Sequence, residues 1–117
     1  GPEDGERPTA YIVILLDRRI AGNAGVDHGI AAQNIVLAAA ELGVGACMIG
    51  SVNRPQLAKE LELPDDYEIM LAVALGYPGE TVLIEDAEEG KVKYYRDAKG
   101  FHHVPKRTLA EVLARSF

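Results

Sequence analysis

Residues 30–40, IAAQNIVLAAA, are apolar on nearly every side of any helix they form, and this segment constrains the 117-residue chain most. A helix on the surface of a globular protein carries a polar face. This one needs cover all round. By length the chain is one domain, because chains usually split only beyond roughly 250 residues. A single copy of this size buries only about two-thirds of the surface its unfolded chain exposes. The helix is therefore expected to be central, with Ala31, Ala32, Ala38, Ala39 and Ala40 permitting close approach by another helix. Asp27 stands where an N-cap would, the helix runs over 28–42, and Gly43 suits the left-handed position that closes it.

The flanking segments supply strands. Residues 1–9, GPEDGERPT, form a polar, extended lead-in that is also compatible with the remnant of an expression tag. Residues 10–16, AYIVILL, are a continuous β-branched run, expected as a strand buried on both faces. Asp17-Arg18-Arg19 then ends it in solvent. Residues 45–49, GACMI, and 67–75, YEIMLAVAL, are expected as two further buried strands. Between them Asn53 caps a helix with Pro55 in its first turn and Gln56 placed to reach back. Beyond Gly79 the chain is more polar. Strands over 81–84 and 92–95 are expected around the turn at Glu88-Glu89-Gly90, then residues 101–104 after Lys99-Gly100. Thr108-Leu-Ala-Glu111 is a capping box that opens a last helix to Phe117. Interleaved strands and helices make the class α+β or α/β, with residues 10–117 as the domain.

Composition removes several functions. Hydrophobic residues make up 48% and charged residues 26%, as in an ordinary globular domain. The net charge of −6, with no basic stripe, argues against nucleic acid, whose binding depends on neutralising phosphates. The single cysteine, Cys47, excludes an internal disulfide framework and, without a CxxC pair, weighs against zinc. No signal peptide or membrane-length apolar run is visible, so the expected address is a reducing cytoplasm, with no membrane partner.

Side-chain catalysis has little support, since no nucleophile elbow, HExxH, P-loop or strand-to-helix GxGxxG occurs. His102 and His103 are adjacent on a strand and point to opposite faces, which suits a solvated hairpin tip better than a shared metal. His28, in a helix's first turn, reads as a structural residue near a cleft. Two features stay open on the residues alone. Met48-Ile49-Gly50-Ser51 brings backbone amides to the lip of a sheet, where glycine lets a planar ligand come close. Gly50 serves equally well as the turn before Asn53. Lys106-Arg107 before the Thr108 helix start forms an anion site or an ordinary solvated basic pair.

Residues 27–43 (DHGIAAQNIVLAAAELG), 45–50 (GACMIG), 75–78 (LGYP) and 105–107 (PKR) with the helix after them, in that order, resemble the nitroreductase family. The resemblance covers residues 10–117. It implies a partial, α+β nitroreductase-like fold, with a sheet and helices packed around the central apolar helix. It also implies a homodimer through the helix that begins at Asp27 and ends at Leu42, with FMN at the subunit interface. Met48, Ile49, Gly50 and Ser51 match the segment whose amides lie along the flavin N5 and O4 edge. Lys106 and Arg107 match the late cations on the FMN phosphate. The implied activity carries electrons from NADH or NADPH through flavin to a nitro-aromatic, quinone or similar small acceptor. No side chain is implied as catalytic, because the cofactor carries the chemistry.

The family also carries an early Arg-x-Ser-x-Arg stretch that grips the phosphate and ribityl chain. Residues 1–10 contain no match to it, so the expectation is the C-terminal portion of such an enzyme with FMN retention reduced. The rival expectation, from another class, is a non-catalytic dimerisation or flavin-storage module. Flavin absorbance in the purified protein separates the two. A redox role for Cys47 is the third reading, against which its expected burial in an apolar strand makes it structural.

Overall fold

The computed structural model describes Gly5 and residues 7–115, so most of the expected lead-in, residues 1–4 and 6, and the last two residues of the chain lie outside the described residues. The chain divides into two compact units, Gly1–Pro78 and Gly79–Phe117.

The first unit runs β1 (Ala10–Asp17), α1 (Asp27–Glu41), β2 (Gly45–Ile49), α2 (Arg54–Glu60) and β3 (Tyr67–Gly76). The strands form one antiparallel sheet in the order β1-β3-β2. Thr9 extends the β1 edge, its amide donating to the Leu75 carbonyl at 2.9 Å. The centre is β3, which supplies Ile69, Ala72, Val73 and Ala74 to the core, while α1 supplies Ala32 and Ala39. β1 is therefore not buried on both faces within this chain. It is an edge strand, with Tyr11 58% exposed. An unbroken apolar run specifies two hydrophobic faces, but not the strand's place in the sheet. β2 differs in the same way, with Cys47 and Met48 exposed.

α1 begins one residue earlier than expected. Val26 takes the N-cap without a side-chain bond, and Asp27 is the first helical residue. Its carboxylate still favours the positive end of the helix by charge. The other end follows the sequence. Gly43 sits at φ 71°, Val44 N–H reaches the Ala39 carbonyl at 2.8 Å and Gly43 N–H reaches Ala40 at 3.0 Å. That pair of bonds is a Schellman motif, which glycine permits because it has no Cβ. Ala32 and Ala39, seven residues apart, share one face of α1, and Ile30 and Leu37 stand exposed on the other.

Two details hold the sheet's rim. Arg18 pairs with Glu68 at 2.6 Å, and Arg19 with Asp17 at 2.6 Å and the Tyr67 hydroxyl at 2.7 Å, so the two arginines tie β1 to β3 instead of ending it in free solvent. Hydrogen bonding from Arg19 lowers the Asp17 carboxyl to about 2. Arg54, which the sequence marks only as part of a helix start, closes a bulge. Ile14 pairs with Leu71 and Leu15 with Ile69, leaving Met70 as the extra residue of β3. The Arg54 fork takes both freed carbonyls, Nε to Ile69 at 2.9 Å and Nη2 to Met70 at 3.0 Å. Arg54→Ala is expected to cost about 1–3 kcal/mol, and Arg54→Lys to recover only part of it, because an ammonium lacks the fork. Urea unfolding measures this, and a lysine variant as stable as wild type would show that the fork is immaterial.

The second unit runs β4 (Val82–Asp86), a single 3-10 turn (Glu88–Gly90), β5 (Tyr95–Arg96), β6 (His102–Lys106) and α3 (Leu109–Val112). The expected pairing of strands around Glu88-Glu89-Gly90 does not form. β6 lies between, parallel to β4 and antiparallel to β5. The Thr108–Glu111 capping box is present, but α3 is one turn, with Leu113 already extended. A good start does not prolong a helix that buries no residue.

Candidate functional site

β2 lies on the side of β3 away from β1 and pairs with no other strand among the described residues, so its outer backbone edge is open. Ile49 is the last paired residue, opposite Ala72. Gly50 and Ser51 then leave the sheet. Both are exposed, as is Met48, and Ile49 is half-buried. The Gly50 backbone is not in the left-handed region, and a Cβ placed there would meet nothing within 4 Å. Neither conformation nor a protein neighbour among the described residues thus requires glycine. Without a Cβ, the backbone at this strand end is open to close approach by a group from outside the chain. The turn reading is met as well, because the Asn53 side chain accepts from the Gln56 amide at 3.3 Å and opens α2. Gln56 does reach back, but its Oε1 accepts from the Asn53 side-chain Nδ2 at 3.3 Å and not from the Asn53 backbone N–H that a capping box needs. Its amide turns to Glu60 at 2.9 Å.

Lys106 and Arg107 belong to the second unit. Lys106 is the last residue of β6 and Arg107 follows it, both exposed. The helix that was to assist them is a single turn, so the cations stand without a helix dipole of consequence. Glu111 lies close enough for the Arg107 charge to help lower its carboxyl, behind the larger effect of the Thr108 amide. The two sets of sequence-derived residues thus sit in different units, each with open polar groups.

Three further placements bear on chemistry. His102 and His103 do point to opposite faces. His102 lies 3.2 Å from Glu80, which also pairs with Arg96 at 2.7 Å. His103 lies between Glu85 and Asp97, an arrangement with no linear signature because its partners are 18 and 6 residues away. His28 Nδ1 is buried with no hydrogen-bond partner among the described residues. Cys47 is a free, exposed thiol, so the burial expected of it does not hold within this chain.

An alanine-lined helix laid on an antiparallel sheet, beside an edge strand that ends in glycine, defines the α+β class expected from the sequence. The chain belongs to the nitroreductase family, whose model matches residues 6–77, more than half of its length. It is 30% identical over 84 residues to a chloronitrobenzene nitroreductase of Comamonas testosteroni. It is 34% identical over 68 residues to a nitrobenzene nitroreductase of Ectopseudomonas oleovorans. Those matches take in 70% and 56% of this chain but only 37% and 30% of the relatives' lengths. A crystal structure of a nitroreductase with bound FMN from Desulfitobacterium hafniense is 29% identical, with a TM-score of 0.54 over 76% of this chain and 52% of that one. The chain is thus a nitroreductase fold in part. No helix among the described residues is long and apolar enough to cross a membrane.

Proposed function

We propose that residues 10–117 serve as the flavin-edge and dimer-forming portion of an FMN-dependent, NAD(P)H-using oxidoreductase of the reducing cytoplasm. The observation that carries this reading is Gly50, a glycine that nothing within the described residues demands, at the open end of an edge strand in a nitroreductase fold. When bound, FMN supplies two-electron transfer from NADH or NADPH to a nitro-aromatic, quinone or similar acceptor. The chain's own part is to orient. Amides at Gly50 and Ser51 would donate toward the N5 and O4 edge, where fixed donors steady developing negative charge without reorganising. Met48 and Ile49 would line the same edge. Lys106 and Arg107 offer cations to the phosphate.

A second copy completes the cover of α1. Ile30 and Leu37 are 57% and 59% exposed in one chain, on the face that Ala32 and Ala39 do not use. Apolar surface in such a stripe favours an isologous contact. The module reading is favoured by a different observation, that the family match ends at residue 77, before the Lys106-Arg107 pair. A colourless dimer that FMN cannot restore would support it.

The phosphate role has its own test. Changing both Lys106 and Arg107 to Ala is expected to weaken FMN binding roughly ten- to a hundredfold and riboflavin binding much less, since a charge-assisted contact contributes about 1.5–3 kcal/mol. Calorimetry with both ligands makes the comparison. Equal losses would mean that the pair supports folding.

A further inference from the structure

His103 stands between two carboxylates on different elements. Its Nδ1 is 3.0 Å from Glu85 Oε2 on β4, and its Nε2 is 3.4 Å from Asp97 Oδ2 just after β5. An ionised carboxylate only accepts hydrogen bonds, and a neutral imidazole has one N–H to give. Both contacts are therefore satisfied together only by the imidazolium. The ring is 16% exposed and stacks on Tyr95, with centroids 4.6 Å apart and planes 6° from parallel. Tyr95 in turn donates its hydroxyl to the other Glu85 oxygen at 3.0 Å. Asp97 is fixed independently, because its Oδ1 accepts the Lys99 and Phe101 amides at 2.9 Å each.

We propose that His103 is a protonated clasp, holding β4 and the turn after β5 onto β6, and that it thereby positions the strand end bearing Lys106 and Arg107. The first part rests on geometry alone, whereas the bearing on phosphate rests on the FMN reading above. Besides the clasp, the second unit is held by the β4–β6 pairing and by Glu80 with Arg96 and His102, over little buried apolar surface. β5 is two residues long, and the large side chains Val82, Ile84, Tyr94 and Phe101 are all more than a third exposed.

The groups that face the ring are Glu85 from β4, Tyr95 from β5 and Asp97 from the following turn, and His102 on β6 itself points away toward Glu80. Hydrogen bonding to Glu85 is the largest effect and raises His103 above the ordinary 6.5; burial, second in size, opposes it, and the Asp97 contact adds to the rise. Its contribution is thus complete below the ordinary imidazole value and is lost as pH rises through the raised one. Glu85 and Asp97 are lowered, the first mainly by His103 and the second mainly by the Phe101 amide. Their contribution is complete above the ordinary carboxylate values and is lost only as pH falls through the lowered ones. The clasp is therefore whole in mildly acidic solution and opens toward alkaline pH.

NMR titration of the full chain, with the ring signals assigned through His102→Gln and His103→Gln, tests this directly. His103 is expected to titrate above about 6.5, and Glu85→Gln with Asp97→Asn to bring its midpoint down. Amide-exchange protection across residues 79–115, corrected for intrinsic rate, is expected to fall from about pH 6 to about pH 9. In His103→Gln that fall is expected to vanish. A His103 midpoint at or below the ordinary value, or an unchanged fall in His103→Gln, would overturn the clasp. The positioning role is read from FMN relative to riboflavin affinity over the same pH range, with His103→Gln cancelling the phosphate's own titration. A wild-type preference that declines relative to the variant's supports it, and identical profiles overturn it. If Lys106 and Arg107 prove irrelevant to FMN while exchange still follows His103, the functional reading fails and the clasp stands.

Discussion

Ala39→Arg is expected to unfold the first unit, whereas Leu37→Arg is expected to leave the chain folded and to abolish its self-association. The two residues are two apart on α1 and face opposite ways. Ala39 is 8% exposed in a single copy and lies against the sheet, where α1 meets all three strands. A guanidinium forced into that space is unpaired and overpacked, at a cost of about 3–5 kcal/mol. Small domains retain only about 5–15 kcal/mol in total. This core is thin, built from Ala32, Ala39, Ile69, Ala72, Val73 and Ala74, so most of its stability would go. Leu37 is 59% exposed, and one copy has nothing to lose there. If a second copy covers it, the same charge weakens the dimer by roughly two to three powers of ten. Urea unfolding and sedimentation at micromolar concentration read the two effects separately. A wild type already monomeric under those conditions would remove the dimer, and a stable Ala39→Arg would contradict the placement of α1.

That contrast also shows where the sequence was legible. The largely apolar character of residues 30–40 demanded cover on every side, of which a single chain supplies only the face bearing Ala32 and Ala39. What composition could not divide was which alanines meet their own sheet and which face outward, because Ala31, Ala38 and Ala40 are chemically identical to Ala32 and Ala39. The same ambiguity left β1, expected as a strand buried on both faces, at the edge of the sheet. Local chemistry transferred better, since Gly43 at the helix end, Asn53 at the start of α2 and the Thr108–Glu111 box all sit where their spacing put them. Each needs only neighbours within a few residues. Long-range partners were not legible. The Arg54 fork depends on a bulge at Met70, and the His103 clasp joins residues from three elements. The strand end at Met48 to Ser51 and the Lys106-Arg107 pair were singled out only by their order along the chain, and they fall in separate units.

The 117-residue chain by itself is expected to hold FMN about two to four powers of ten more weakly than a relative that also carries the family's early Arg-x-Ser-x-Arg stretch. That stretch would give the phosphate two guanidinium contacts and a hydroxyl, and no arginine among residues 1–117 stands in such a pattern. On the proposed reading, this chain would grip FMN only through the Gly50 and Ser51 amides, packing on the isoalloxazine and the exposed Lys106-Arg107 pair. Two absent charge-assisted contacts at about 1.5–3 kcal/mol each account for the loss. α3 does not offset it, because one helical turn offers the phosphate almost no dipole. A cofactor bound this way washes off on a column, so the chain is expected to fold and dimerise yet oxidise NADH poorly. Equilibrium dialysis against FMN and riboflavin measures the deficit, which should fall on FMN because the missing contacts are to phosphate. Joining an Arg-x-Ser-x-Arg segment from a relative upstream of Ala10 should restore both colour and turnover. Stoichiometric, tightly held FMN on the 117 residues alone would refute the expectation, and would mean that other side chains already hold the phosphate.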